Sequence, residues 1–197
     1  MARRPRIDWI DFALAALATD GPAALVPDAL AARAGLTRGA FYHRFASVDA
    51  FQAELLECWR QRNTQTVIDL AAAADGLNAR QRALAAASAS IDHALDRAVR
   101  AWALHDARAR AAVAAVDATR IGFIRDCLPP RTSQRARLAE ALYLLFVGAQ
   151  QVRPDLNGAA LKRLLDPLDA ALMQGFASAA PREKPSLRKK KAGAPRG

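Results

Sequence analysis

Between Arg33 and Arg44 the chain carries three arginines and one histidine without an intervening acid. Read as a helix opening at Thr37, with 100° between residues, this segment places Phe41 and Phe45 on one face. Gly39, Ala40 and His43 point the other way, with Arg38, Tyr42 and Arg44 on the flanks. Such a side, slim at its start and cationic further on, suits close approach to a polyanion. An arginine like Arg38 can offer two parallel hydrogen bonds to guanine O6 and N7, small residues let the backbone come near base edges, and Tyr42 and His43 suit phosphate oxygens. The free N–H groups at the helix start add an anion site near Thr37. The competing reading treats Phe41, Tyr42 and Phe45 as core aromatics of a small helical domain. It fits Phe41 and Phe45, whereas Tyr42 does not fully share their face.

Positioning this segment requires a scaffold, and the surrounding periodicity supplies one. Ile7, Ile10, Leu14 and Leu17 recur at helical spacing until Gly21-Pro22 stops the pattern. Pro27 suits a first helical position in a short second helix that Gly35 ends, with Leu30 and Ala34 inward. Thr37 is the expected N-cap of the third helix, which ends near Phe45, and Ser47 with Asp49 opens a fourth, spanning about 48–72. Two short helices joined through a glycine turn form a helix-turn-helix, whose second helix lies in the DNA major groove.

Beyond Asp75-Gly76 the chain becomes alanine-rich and amphipathic. Ala79 to Cys127 reads as helices jointed near Ser90 and at His105-Asp106, with Asp92 and Asp106 as caps. After Pro129-Pro130, Thr132 or Ser133 is expected to cap a helix reaching about Val152, and a last helix runs from about Ala159 to Ala179. Roughly a quarter of the 197 residues are alanine, while β-branched residues are sparse, so an all-α fold of about nine helices is expected. Three parts follow: an arm and three-helix DNA-binding domain over 1–47, a larger helical domain over 48–180, and a disordered basic tail over 181–197.

The formal charge of +10 sits mainly at the ends. Residues 7–62 hold five basic and seven acidic side chains, so this unit needs Arg3, Arg4 and Arg6 to become net positive, and these are expected on backbone or minor groove. Two separated cysteines, Cys58 and Cys127, make neither a disulfide framework nor a zinc spacing and point to a reducing, cytoplasmic setting. The longest apolar run, Ala141 to Ala149, falls well short of the ~20 residues that span a bilayer, so no membrane association is expected.

With these residues in view, the first sixty or so resemble the DNA-binding domain of the TetR/AcrR family of bacterial transcriptional regulators. The resemblance rests on the helix-one pattern ending at Gly21, on Ala34 to Thr37, on the Phe41-Tyr42-His43-Arg44-Phe45 signature and on Ser47 opening helix four. It implies a homodimer, an operator of approximate two-fold symmetry on double-stranded DNA, and a divergent helical C-terminal domain that binds a small effector and dimerises through its last two long helices. Two departures stand out. Val48 occupies the place of a phosphate-touching lysine, which leaves that contact to Arg44 or the arm, and Leu25 replaces a more usual hydroxyl residue ahead of helix two.

An apolar or amphipathic effector requires an apolar cavity with a few polar groups among the later helices and helix four. Trp59, Trp102, Phe123 and Tyr143 are the aromatic candidates for it, and His93, Asp117 or Arg120 the polar ones, although Asp117 and Arg120 also have the spacing of a surface ion pair. Trp102, Val113, Val116, Ile121, Phe123 and Ile124 nevertheless recur at helical spacing, and each reads as core more readily than as pocket lining. The run 141–149 is apolar all round, so it must be buried on several sides; with Leu161, Leu164, Leu165, Leu168, Leu172 and Phe176 it suggests a four-helix dimer seam in which Gly148 allows close approach. No nucleophile elbow, phosphate loop or dinucleotide glycine motif marks an enzyme, and no metal or cofactor is expected. The function expected is a DNA-binding transcriptional regulator, a repressor released by a small molecule. The alternatives are an architectural DNA binder without effector, or a helical enzyme.

Overall fold

The computed structural model describes residues 7–130, 132 and 134–178. The expectations for Arg3, Arg4, Arg6 and the tail at 181–197 lie outside these residues. Among the described residues the chain is helical, without strands: α1 (Trp9–Asp20), α2 (Pro27–Arg33), α3 (Arg38–Arg44), α4 (Val48–Arg60), α5 (Thr66–Ala72), α6 (Leu77–Ala89), α7 (His93–Ala103), α8 (Ala107–Asp126), α9 (Arg135–Val152) and α10 (Gly158–Ser178). A π-helical turn, Gln61–Gln65, joins α4 and α5 into one continuous helix over 48–72, so nine helices result.

Local chemistry accounts for most boundaries. The carboxylates of Asp8, Asp92 and Asp106 accept backbone N–H bonds at the starts of α1, α7 and α8. The Ser47 hydroxyl accepts from Ala50 at 3.0 Å to open α4. Gly21, at φ 74°, takes the left-handed backbone that ends α1. Three details depart from the reading of the sequence. Thr37 has the extended backbone of an N-cap, but its hydroxyl accepts no capping bond. At α9, Thr132 does not cap the helix; Gln134 stands at that position with φ 54°, and Ser133 lies outside the described residues. Pro167 sits inside α10, where it has no N–H to donate to the preceding turn.

One core runs from α1 into α8. Phe41 packs with Trp9, Phe45 and Phe51 at ring separations of 5.7, 5.1 and 5.1 Å, and the same cluster continues through Leu55 and Trp59 to Val99, Trp102 and Val116. It crosses the expected boundary at residue 47 without a gap. A smaller cluster joins Leu128, Leu138 and Ala139 to Ile121, Ile124, Leu142 and Phe176. At the junction of α10 with α6, a Cβ on Gly158 would stand 1.6 Å from the Ala89 carbonyl oxygen, so only glycine permits this approach.

The apolar run of α9 is only partly covered. Tyr143 is buried and Leu142, Leu145 and Phe146 are half-buried, whereas Leu144 and Gly148 face outward. Complete burial within one chain, as all-round apolarity suggests, is therefore not achieved. Among the described residues nothing approaches Gly148 closely. No helix of the described residues is long and apolar enough to cross a membrane.

Candidate DNA-reading face and adjacent cavity

The α3 helix is held from below and open above. Phe41 and Phe45 are 0% and 2% exposed, which seats the helix on α1 and α4, while Thr37, Arg38, Gly39, Tyr42, His43 and Arg44 are exposed. Ala40 differs from its expected outward position: it is half-buried and packs against the core. Gly39 has only the Thr37 hydroxyl within 4 Å of a built Cβ, so its backbone is approachable from outside.

Each arginine of the stretch 33–44 already has a carboxylate partner on the scaffold. Arg38 donates to Asp28 of α2 at 2.9 Å and lies 5.4 Å from the Tyr42 ring centroid. Arg33 pairs with Asp20, and Arg44 with Glu54 while stacking on Phe45. These pairs are at the surface, with side chains 44–63% exposed, and exposed pairs contribute only about 0–1 kcal/mol. They are readily exchanged for phosphate or base. At Val48, where a lysine was missing, α8 reaches the same helix turn: Arg108 bonds Asp49 at 3.2 Å and Gln52 at 2.8 Å.

A second site lies beneath, between the continuous helix 48–72 and α6, α8, α9 and α10. It is a cavity of about 210 Å³, lined largely by aliphatic and aromatic side chains including Val67, Leu84, Phe123 and Phe146. Of the aromatic candidates, Phe123 and Tyr143 line it. Trp59 and Trp102 do not: both are core residues, 0% and 6% exposed, and the Trp59 indole N–H is spent on Asp96 at 3.1 Å. Of the polar candidates, Arg120 lines the cavity. Asp117 does not, and it pairs with Arg100 at 2.6 Å instead of Arg120. His93 also lies outside the lining; it is buried with Nδ1 2.8 Å from the Gln150 amide, and burial lowers its pKa.

Arg120 is the hub of the cavity's inner end. Its Nε–H donates to Thr64 Oγ1 at 3.0 Å, and its two terminal nitrogens reach Asp96 at 2.9 and 3.1 Å, the Asn63 carbonyl at 3.0 Å and the Tyr143 hydroxyl at 3.4 Å. All five guanidinium hydrogens thus have an acceptor. Burial opposes the positive charge, but Asp96 outweighs it and raises the Arg120 pKa. Burial by itself would raise the Asp96 carboxyl; the charges and hydrogen bonds of Arg120, Arg100 and Asn63 hold it below the ordinary value. Tyr143 is pushed up to about 12 by burial, and donates to Asp117 at 2.6 Å.

Asn63 and Thr64 belong to the π turn, so Arg120 grips the irregular turn of the helix whose first residues support α3. Asp96 escaped the sequence reading, although its i, i+4 spacing to Arg100 was visible; its pairing with Arg120 spans 24 residues and had no local signal. At the outer end the cavity meets Lys162, Asp166 and Asp169 of α10, also unforeseen. Among the described residues no three His, Cys, Asp or Glu side chains form a metal-binding group. Both thiols are raised above their usual pKa, mainly by burial.

Comparison with known proteins agrees with the exposed face of α3. Residues 10–55 match the family described as bacterial regulatory proteins, tetR family; the match covers α1 to α3 and the first turns of α4. No curated protein and no solved structure matches the chain. With α3 set on α1 and α2 by its phenyl rings and turning its cationic side outward, the chain carries an N-terminal helix-turn-helix that matches, over residues 10–55, the DNA-binding part of the tetR family of bacterial regulatory proteins.

Proposed function

We propose that the chain is a repressor that binds an approximately palindromic operator as a homodimer and leaves it when a small apolar or amphipathic effector enters the cavity. The observation that carries this reading is the shared helix. Asn63, Thr64, Val67 and Ile68 wall the cavity, and the same helix begins at Val48 and inserts Phe51 beneath Phe41. A ligand that moves the π turn has a rigid path to α3. Residues 1–47 then read DNA, with Thr37, Arg38, Gly39, Tyr42, His43 and Arg44 at the groove and Arg3, Arg4 and Arg6 on the backbone, while 48–180 bind effector and dimerise in the cytoplasm.

The homodimer is supported by an apolar face with no cover among the described residues. Leu144, Leu164 and Leu168 are 61%, 42% and 45% exposed, beside a groove formed by Leu145, Ala171 and Leu172. Aliphatic surface of this extent on two long antiparallel helices suits an isologous four-helix seam. Leu144→Glu with Leu168→Glu is expected to give monomers in sedimentation.

Genomic fragments retained by the purified protein supply the operator, and compounds suggested by the neighbouring genes are then titrated. The right effector is expected to weaken operator binding on the order of a hundredfold, a coupling of roughly 2.7 kcal/mol. Operator affinity unchanged at saturating ligand refutes release by effector. Deleting residues 1–6 is expected to weaken all DNA sequences alike and flatten the salt dependence.

A further inference from the structure

The two ends of the cavity are electrostatically unlike. Behind the inner end, where Arg120 is the one of these groups that lines the cavity, two arginines, Arg100 and Arg120, face two carboxylates, Asp96 and Asp117. Every Arg120 hydrogen is used, and the Tyr143 hydroxyl both donates to Asp117 and accepts from Arg100 at 2.7 Å. An anionic ligand would find no spare cation there. At the outer end Lys162 is bonded to Asp166 at 2.6 and 2.8 Å, and Asp169 is half-buried in the lining with no hydrogen-bond or ion-pair partner among the described residues. The charges acting on Asp169 are Asp166 and Lys162 of its own helix; Arg80 of α6 acts on Cys127 instead, and no group of α8 or α9 contributes. The lining therefore carries one uncompensated negative charge, at its mouth, above an apolar body.

We infer that the cavity selects a small hydrophobic monocation, an amine or quaternary ammonium whose charged group sits against Asp169 and whose apolar part lies among Val67, Leu84, Phe123 and Phe146. This rests on the reading of the cavity as the effector site and names the ligand's class. The volume, about 210 Å³, lies below the ~300–1,000 Å³ usual for ligand pockets, which favours a compact molecule. Burial, with Asp166 nearby, raises the Asp169 carboxyl to about 6. A bound cation would favour its ionised form.

The test is equilibrium binding to the full chain without DNA. Benzyltrimethylammonium is compared with its uncharged isostere 2,2-dimethyl-1-phenylpropane and with phenylacetate. The quaternary cation does not titrate, so any pH dependence belongs to the protein. At about pH 7.5 it is expected to bind at least about tenfold more tightly than either competitor, an advantage of the size a close charge pair can supply. Its affinity is expected to fall about tenfold by pH 5, where only about a tenth of a carboxyl titrating near 6 is ionised. Asp169→Asn is expected to remove both the preference and the pH dependence, and Ala85→Trp, which fills the cavity, to remove binding with the helical spectrum intact. Equal or better binding of the neutral or anionic probe, an unchanged Asp169→Asn variant, retained binding in Ala85→Trp, or no binding of the cation overturns the inference. Cation binding that leaves the operator occupied counts against release by effector while leaving this inference standing; release by a neutral compound does the reverse.

Discussion

The reading face of α3 and the Arg120 cluster are built from the same chemistry, arginine against aspartate, yet they behave as opposites. In the Arg38–Asp28 pair the side chains are 63% and 59% exposed; in the Arg120–Asp96 pair they are 10% and 0%. Water can replace either partner in the first, so the pair opens at little cost and Arg38 can exchange Asp28 for another anion. In the second, removal of one partner strands a charge away from solvent, and the pair acts as a fixed joint across α4, α7 and α8. Exposure, and not the residue types, separates a contact held in reserve from one that holds the fold.

The comparison can be broken most directly at Asp96. Asp96→Ala leaves Arg120 buried with its main counter-charge gone and is expected to cost about 3–5 kcal/mol of folding stability, read by urea denaturation; a loss below about 1 kcal/mol would put this pair in the same class as the surface ones. Acid sharpens the point. Because the folded Asp96 carboxyl titrates below its ordinary value of 3.8, its contribution is fully present above that value and is lost as pH falls through the lower folded one. Denaturation midpoints should therefore drop at the acidic end in wild type, with a smaller drop in Asp96→Ala.

At the surface the effects move from stability to DNA. Arg38→Ala is expected to leave the melting transition nearly unchanged but to cost on the order of 1–3 kcal/mol in operator affinity, with base preference relaxed at one position per half-site. Equal losses on specific and random DNA would remove Arg38 from base reading. The smallest effect concerns its present partner. Asp28→Ala frees Arg38 and removes a negative charge beside the duplex, so operator affinity is expected to rise by about 0.2–1 kcal/mol. Weakened binding would instead make Asp28 a positioning residue for Arg38.

The helix-turn-helix was legible because its signals are local. Ser47, Asp92 and Asp106 cap the helices they precede, and the i, i+4 spacing of Phe41 and Phe45 already told which side of α3 is buried. The cavity was legible only in outline. Phe123, Tyr143 and Arg120 reached it, but Trp59 and Trp102 were drawn into the main core, since large aromatic rings serve a core and a pocket equally well and periodicity does not tell the two apart. Asp117 and Arg120, one turn apart on α8, chose partners on α7 instead of each other.

By itself, then, the order of residues determined the helices, the caps at Ser47, Asp92 and Asp106 and the cationic side of α3, because each depends on neighbours within a turn or two and on free energies that act over that range. Only the tertiary structure decided that Arg120 is saturated, that Asp169 has no partner among the described residues, and that one helix with a π turn joins the cavity to the outer face of α3. Arg120 gathers partners 23 to 57 residues away along the chain, and the dielectric surroundings that set the strength of such contacts, or of a carboxylate at a cavity, exist only after the chain has packed.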